Sequence, residues 1–238
     1  MMKKLGLSAI TLSLLTLAGQ ASAGRPLATD DAATADSGRC QLESWFERSG
    51  ADRMLVLAPA CGVASGMELG VDYTVRRPRH PTHSSGGLAF KWVPEAWRSQ
   101  TRLGTVDLGL KLGSGYERPA GAGWHSSQSL ALALVSWTPN ADWAVHANLG
   151  PVRQRGGGAN ATLLNVAVSW APSERVLIFG ESQANDRRAS FGGTVNTAGA
   201  RWWVMKDKFG LDLTAGREAG AGTPTAWTLG FGWYGLGR

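Results

Sequence analysis

The stretch Trp227-Thr228-Leu229-Gly230-Phe231-Gly232-Trp233-Tyr234 decides the fold class of this chain. Large apolar residues occupy its odd-numbered positions, and mostly small or polar residues occupy the even-numbered ones. Successive side chains of a β-strand point to opposite faces, so this alternation predicts a strand with one bulky apolar face. The same period of two recurs over 67–75, 106–112, 164–170 and 209–215.

Twelve stretches of the chain carry a strand pattern, and together they predict a closed, all-β antiparallel barrel. Their predicted bounds are 40–48, 53–61, 66–76, 87–95, 101–113, 126–137, 143–151, 161–171, 175–184, 192–206, 209–217 and 225–236. If the strands run up and down, the even-numbered connections are mostly short and the odd-numbered ones mostly longer. Short periplasmic turns and longer outer loops are typical of outer-membrane β-barrels. The first connection is unusually short for this scheme, and the fourth is rather long.

Alternation alone does not separate a membrane barrel from a soluble β-sandwich or a lipocalin-like barrel. The composition favours the membrane, because 32 glycines and 11 tryptophans accompany only 18% charged residues. Tryptophan is enriched where rings meet a membrane boundary. Six tryptophans are predicted to form an aromatic girdle: Trp137, Trp143, Trp170, Trp202, Trp227 and Trp233.

The first 23 residues read as a secretory signal peptide. Lys3-Lys4 precedes an apolar run, 5–18, that is too short for a membrane-spanning helix, and Ala21-Ser22-Ala23 fits a cleavage site. The formal charge of +6 falls to +4 without the two lysines, and such a modest excess argues against a nucleic-acid partner. The expected partners are outer-membrane lipid, lipopolysaccharide, the barrel-assembly machinery and an unidentified small-molecule solute.

Export to an oxidising compartment allows the two cysteines, Cys40 and Cys61, to pair. If Gly50-Ala51 is a two-residue hairpin turn, the numbers of facing residues sum to 101, and the two cysteines face each other. We therefore predict a disulfide that staples the first hairpin near the periplasmic end of the barrel. Pro59 lacks an N–H group, so the second strand is expected to bulge or to end there.

A second hairpin allows another test of register. A two-residue turn at Asp207-Lys208 would place Trp202 opposite Leu213 and Val204 opposite Leu211. The apolar and polar faces stay separate across the pair in this register.

The polar positions of the predicted strands are candidates to line the lumen. They are Glu43, Glu47, Glu68, Asp72, Lys91, Asp107, Lys111, His146, Asn148, Asn165, Glu181, Gln183, Arg201 and Asp212. A buried charge needs a partner or water, so we predict one network of Lys91 with Asp72 and Asp107 and another of Arg201 with Asp212. The set fits either a polar pathway or a closed, salt-bridged interior.

Residues 24–39 precede the first predicted strand and are rich in alanine and aspartate. They fit either a plug that folds into the lumen or a disordered periplasmic segment. The domain scheme is therefore a signal peptide over 1–23, this segment over 24–39 and the barrel over 40–238.

The segment GRPLATDDA (24–32), followed by CQLES (40–44) and LAPAC (57–61), resembles a poorly characterised family of bacterial outer-membrane β-barrels. That family combines an RPxxTDDA start with CQ-[IL]-E and PAC. It is similar in layout to barrels labelled for the meta-pathway of phenol degradation, which are assigned as transporters. The resemblance implies an outer-membrane location and passage of small organic solutes, hydrophobic or aromatic ones among them. It carries no catalytic residues.

Other motifs give weaker signals. GFGWYG (230–235) lies in a predicted strand with no helix after it, which argues against nucleotide binding. His80 and His83 alone do not make a metal site, and the loop that holds them can contact lipopolysaccharide by charge. His125 and Ser126 are adjacent on a strand and point to opposite faces. We expect no cofactor, metal or catalytic residue. The expected function is passive transport, with a closed structural or adhesive barrel and an outer-membrane lipid hydrolase as alternatives.

Overall fold

The computed structural model describes residues 27–77, 83–155, 160–220 and 222–237. Within them the chain forms thirteen strands, a 3₁₀ turn at Glu95–Trp97 and the four-residue helix α1, Arg188–Phe191. The strands are β1 Cys40–Ser49, β2 Asp52–Ala64, β3 Met67–Arg77, β4 His83–Trp92, β5 Ser99–Thr101, β6 Gly104–Arg118, β7 His125–Thr138, β8 Trp143–Gln154, β9 Asn160–Ser173, β10 Val176–Asn185, β11 Val195–Met205, β12 Phe209–Glu218 and β13 Ala226–Leu236. Among the described residues, no helix has the length and apolar character needed to cross a membrane.

Every strand except β5 belongs to one closed antiparallel ring of twelve strands. Each strand pairs with its neighbours in the chain, β4 pairs directly with β6, and β1 pairs with β13 to close the ring. The ring strands are 10 to 15 residues long. About 9–11 residues of a tilted strand span a bilayer, so every ring strand is long enough to cross. The predicted twelve-stranded barrel is confirmed.

The first hairpin has the predicted register. Cys40 faces Cys61, the two form a disulfide, and Gly50 adopts a φ of 59° in the turn. That positive φ favours glycine because it has no Cβ. The expectation for Pro59 is wrong, since β2 continues to Ala64 and its register with β3 first shifts after Gly62.

The fourth connection and the hairpin of β11 and β12 depart from prediction. β4 ends at Trp92 and Pro94 lies outside it, because the chain turns into the 3₁₀ turn and then pairs β5 with β6 outside the ring. In the other hairpin, Trp202 faces Leu211 rather than Leu213. The turn holds three residues, 206–208, and Asp207 has a φ of 56°. The register moved by two residues, so each side chain kept its predicted face.

The barrel is apolar outside and charged inside. Large apolar side chains are exposed on its outer face, including Leu55, Leu57, Leu69, Val71, Leu88, Leu112, Leu149, Leu164, Leu213 and Leu229. The buried polar residues include Glu43, Glu68, Lys91, His146, Glu181, Arg201 and Asp212. Exposing an apolar surface of this extent to water would be unfavourable in free energy, so the outer face requires lipid.

Candidate functional site

Residues 27–36, named here the lumenal segment, run through the interior of the barrel. The backbone N–H groups of Ala28 and Thr29 each donate to Glu181 Oε2 of β10 at 2.9 Å. The Thr29 hydroxyl donates to the same carboxylate oxygen at 3.0 Å. Thr29 is almost completely buried. One glutamate of the wall therefore satisfies three donors of the segment, two of which belong to the buried Thr29 and would otherwise lack partners.

The next residues of the segment are held by β7, β8 and β3. Asn148 makes two hydrogen bonds to the main chain of Asp30, since its Oδ1 accepts from the N–H and its Nδ2 donates to the C=O, both at 2.8 Å. Farther along, the N–H of Ala32 donates to Ser136 Oγ at 2.7 Å. The N–H of residue 35 donates to Glu68 Oε2 at 2.8 Å. Side chains of the wall thus bind the segment through its backbone.

Two lysines of the wall bind the acidic pair of the segment. Lys111 Nζ of β6 lies 2.7 Å from Asp30 Oδ2, and Lys91 Nζ of β4 lies 3.3 Å from Oδ1 of both Asp30 and Asp31. Burial alone would raise the pKa of the Asp30 carboxyl, but Lys111 and Lys91 more than offset it and hold that pKa below its ordinary value. The carboxylate of Asp30 is therefore ionised at neutral pH.

Apolar contacts hold the segment at two further points. Leu27 packs with Ala167 and Phe179 in one buried cluster. Ala32 packs with Leu132 and Leu134 in a second one. With the polar contacts, the segment touches six or more strands on different sides of the ring.

The segment passes into the first strand against the end of β2. Gly38 N–H donates to Gly62 O at 2.8 Å, and Gly62 N–H donates to Arg39 O at 2.9 Å. A Cβ on Gly62 would lie 2.3 Å from the carbonyl oxygens of both Ala35 and Asp36. Only glycine allows this close approach. The neighbouring disulfide joins β1 to β2 at the same level and holds the passage in place.

A cavity of about 700 Å³ remains beside the segment. The segment forms one side of it, and β1 to β4 with Lys111 of β6 form most of the other. Its charged lining carries both signs: Asp30, Asp31, Asp36, Arg39, Glu43, Glu68, Asp72, Lys91, Lys111 and Asp207. The open space in the barrel is thus off-centre and strongly polar.

A second charged cluster joins four strands where the ring closes. Arg201 is fully buried, and it donates to both carboxylate oxygens of Asp212, at 2.6 and 2.8 Å. It also donates to Tyr234 Oη at 2.7 Å, and Tyr234 in turn donates to Glu43 Oε1 at 2.7 Å. The Trp203 ring centre lies 4.9 Å from the guanidinium carbon. This cluster ties β11, β12 and β13 to β1.

The predicted lumen residues differ in how far the structure buries their side chains. Glu43, Glu68, Lys91, His146, Asn148, Glu181, Arg201 and Asp212 are buried, whereas Glu47, Asp107, Lys111, Asn165 and Gln183 are half-buried. Asp72 is exposed to the cavity.

One of the two predicted ion-pair networks is present as predicted. Arg201 pairs with Asp212. Lys91 instead has ion pairs with the lumenal segment, and Asp107 pairs with Arg98 at 2.6 Å. The prediction for Lys91 considered only flanking strands, and the segment supplies closer carboxylates.

Sequence reasoning missed several residues of the site. Ser136 and Tyr234 face inward by the parity of their strands, which is a signal that could have identified them. Gly62 carries no such signal, because its role depends on a neighbour that approaches from the lumen.

All six girdle candidates are exposed. Trp137, Trp143, Trp170, Trp202 and Trp233 lie toward the end of the barrel that holds the short turns, and Trp227 lies toward the other end. The rings of Trp143 and Trp170 stack at 5.8 Å.

The weaker motifs gain little from the structure. His80 lies outside the described residues, and His83 Nε2 is 3.9 Å from Glu117 at the long-loop end. Arg25-Pro26 also lies outside them. In the part of the chain that the structure describes, no group of three or more histidine, cysteine or acidic side chains could hold a metal ion.

A closed antiparallel ring with a lipid-facing apolar outside and a charged inside defines a transmembrane β-barrel of the bacterial outer-membrane class. Within that class, the chain belongs to the family described as "Uncharacterised conserved protein UCP029691", whose model matches residues 11–232. No curated protein matches the chain. The similarity to meta-pathway barrels stays a prediction.

Solved structures share this fold at low sequence identity. The KdgM porin is 11% identical with a TM-score of 0.58, and the match covers 81% of this chain and 98% of that one. The NanC porin is 6% identical with a TM-score of 0.60, over 82% and 98%. Outer membrane phospholipase A from Escherichia coli is 11% identical with a TM-score of 0.50, over 86% and 93%. The architecture is that of outer-membrane porins.

Proposed function

We propose that the protein is a passive pore for small solutes in the bacterial outer membrane, with the lumenal segment as its plug. The observation that carries the proposal is the course of residues 27–36 through the interior, held by side chains of at least six strands. A purely structural barrel could fill its interior with wall side chains alone. Here a separate segment fills it and leaves a polar cavity beside it.

The size of the cavity sets the size of the solute. Pockets that bind small molecules have volumes of roughly 300–1,000 Å³, and the space beside the segment falls within that range. Its lining combines charges of both signs with Trp45, Met54 and Val56. This mixture supports passage of small organic solutes that carry polar groups, and aromatic ones can rest on Trp45.

Displacement of the plug would widen the path. The segment is held mainly by hydrogen bonds and ion pairs to the wall, and water or a solute can replace such contacts one at a time. We therefore expect a low conductance in the plugged state and a higher one when the segment is released.

Planar-bilayer conductance tests the proposal with one glycine substitution. Gly62→Ala places a Cβ against the backbone of residues 35 and 36, so the segment must shift, while the wall keeps every charged side chain. Gly180→Ala is the matched control, because a Cβ there meets nothing closer than 3.9 Å. We expect the first variant to conduct several-fold better than the wild type and the control to match the wild type.

The absence of conductance in all three proteins, folded and inserted, would contradict the pore. It would favour the alternative of a structural or adhesive barrel with a closed lumen. Equal conductance in all three would show an open pore and contradict the plug.

The proposed function is non-enzymatic. A lipid hydrolase remains an alternative because Ser136 Oγ lies 2.8 Å from His146 Nδ1 and because an outer-membrane phospholipase shares the fold. The N–H of Ala32 donates a hydrogen bond to the Ser136 hydroxyl. Ser136 and His146 are both buried inside the barrel, away from lipid. Release of fatty acid from phospholipid by the purified protein, abolished by Ser136→Ala or Ser126→Ala, would establish the enzyme instead.

We further propose that the six tryptophans lie at the lipid boundary as a girdle, five at the short-turn end and Trp227 at the other. Their exposure and their places near strand ends support this. Quenching of tryptophan fluorescence by lipids brominated near the headgroup should exceed quenching by lipids brominated at the chain end. The reverse order would contradict the girdle.

A further inference from the structure

We infer that the lumenal wall is a binding site for short acidic peptides, which the lumenal segment occupies as a built-in ligand. The inference rests on the proposed pore function and names a substrate class for it. The wall recognises two properties of the segment, its backbone amides and its pair of carboxylates.

The backbone is recognised by side chains at regular points. Asn148 binds both the N–H and the C=O of one residue, Asp30. Glu181, Ser136 and Glu68 accept from further N–H groups of the segment. These four side chains bind atoms that every peptide possesses. A sugar acid has no run of amide N–H donors to match them.

The carboxylates are recognised by Lys91 and Lys111. The carboxylates of two adjacent aspartates meet these two ammonium groups within 3.3 Å. Asn148, Lys91 and Lys111 come from three different strands, so the ring itself fixes the spacing between amide and charge recognition. The buried pocket at Ala32 admits a small side chain next to the acidic pair. The wall therefore selects the order polar, acidic, acidic, small along the chain.

The segment competes with any external ligand from within the same molecule. The segment is covalently joined to β1, and the connection is held against Gly62 by backbone hydrogen bonds. Its effective concentration at the site is therefore high. For a short flexible tether this concentration is on the order of millimolar. A free peptide should bind measurably only when the built-in ligand is weakened.

Isothermal titration of the detergent-solubilised full chain with the peptide acetyl-Ala-Thr-Asp-Asp-Ala-amide tests the inference. This peptide copies residues 28–32. The host protein is the double variant Asp30→Asn/Asp31→Asn, which keeps the segment and removes the charges of its acidic pair. We expect the peptide to bind this host at least about 10-fold more tightly than the wild type, because only the free ligand then offers charge-assisted hydrogen bonds. Gly62→Ala is a second, independent host with the segment displaced.

Three controls separate the kinds of recognition. The same peptide with asparagine in place of both aspartates should bind at least about 10-fold more weakly, since it makes only neutral hydrogen bonds. Adding Lys91→Met and Lys111→Met to the double variant should abolish binding. Asn148→Leu, added to the Asp30→Asn/Asp31→Asn host, should weaken binding of the peptide. It should leave the affinity for succinate, a free dicarboxylate, unchanged.

Failure of the peptide to bind either host, with both shown to be folded barrels, would overturn the inference. So would succinate that binds as tightly as the peptide, because the site would then be one for simple anions. Isothermal titration measures peptide binding independently of ion conductance, so the two proposals are tested separately. Peptide binding without conductance would therefore contradict the pore alone, and conductance without peptide binding would contradict this inference alone.

Discussion

Replacing Arg201 by methionine should destabilise the barrel strongly. The guanidinium is fully buried and makes two bonds to Asp212 and one to Tyr234. Methionine fills much of the same space but leaves the Asp212 carboxylate buried without its cation. Removing one partner of a buried pair costs about 3–5 kcal/mol, because the remaining charge stays desolvated. We expect a fall of about that size in the free energy of unfolding, measured by guanidinium titration of the protein in detergent.

A matched surface pair provides the control. Lys206 Nζ lies 3.2 Å from Glu174, but the side chains are 53% and 79% exposed. Such pairs contribute about 0–1 kcal/mol, so Lys206→Met should change the free energy of unfolding by less than about 1 kcal/mol. Arg201→Met combined with Asp212→Leu should recover most of the loss, since no buried charge then remains at this pair.

A loss below about 1 kcal/mol for Arg201→Met would refute the reasoning. It would mean that water enters the interior and solvates Asp212 in place of the guanidinium. A double variant as unstable as the single one would show that packing, rather than charge, accounts for the loss.

Two further predictions concern the passage of the segment and its docking. Replacing Cys40 and Cys61 by serine should lower the free energy of unfolding by about 3 kcal/mol, because the disulfide closes a loop with a sequence separation of 21. A loss under about 1 kcal/mol would contradict a stabilising role of the disulfide, and two free thiols in denatured, unreduced protein would contradict the disulfide itself. Lys111 and Lys91 hold the pKa of the Asp30 carboxyl below its ordinary value of 3.8, against the opposing effect of burial. The ion pairs of Asp30 therefore contribute to docking of the segment at all pH values above 3.8. That contribution is lost only as the pH falls through the lowered pKa. Conductance should therefore stay constant from neutral pH down to about pH 4 and rise below it. Asp30→Asn should conduct better at neutral pH and respond less to acid, whereas a rise that begins near pH 6 would contradict the assignment.

The sequence predicted those features that local pattern determines. Alternation placed strands such as β12 and β13 within one residue of their bounds, because each strand has its own lipid and lumen faces. The turn at Gly50-Ala51 fixed the pairing of Cys40 with Cys61, since one tight turn sets a whole hairpin. An extra residue in the turn at Asp207 and an irregularity between Trp203 and Met205 together moved the register by two. Alternation cannot detect a shift of two residues, because every side chain keeps its face.

The contacts of the lumenal segment lay beyond prediction for a different reason. Thr29 meets Glu181 across 152 residues of chain, and Asp30 meets Asn148 across 118. No local pattern encodes contacts at such separations, and the segment itself has no periodicity. Its alternatives, plug or tail, could be separated only by the positions of wall residues on several strands.

The charges of the interior divide into two sets with different consequences. Arg201 and Asp212 both belong to the wall, so their pairing persists whatever occupies the lumen. Lys91 and Lys111 also belong to the wall, but the carboxylates of their ion pairs come from a segment that is separate from the ring. A ligand can replace a segment far more easily than it can replace a strand, because the ring's ladder of hydrogen bonds stays intact. If the proposed peptide binding occurs, we therefore expect ligand exchange at Lys91 and Lys111, while the Arg201 cluster keeps β11, β12, β13 and β1 joined.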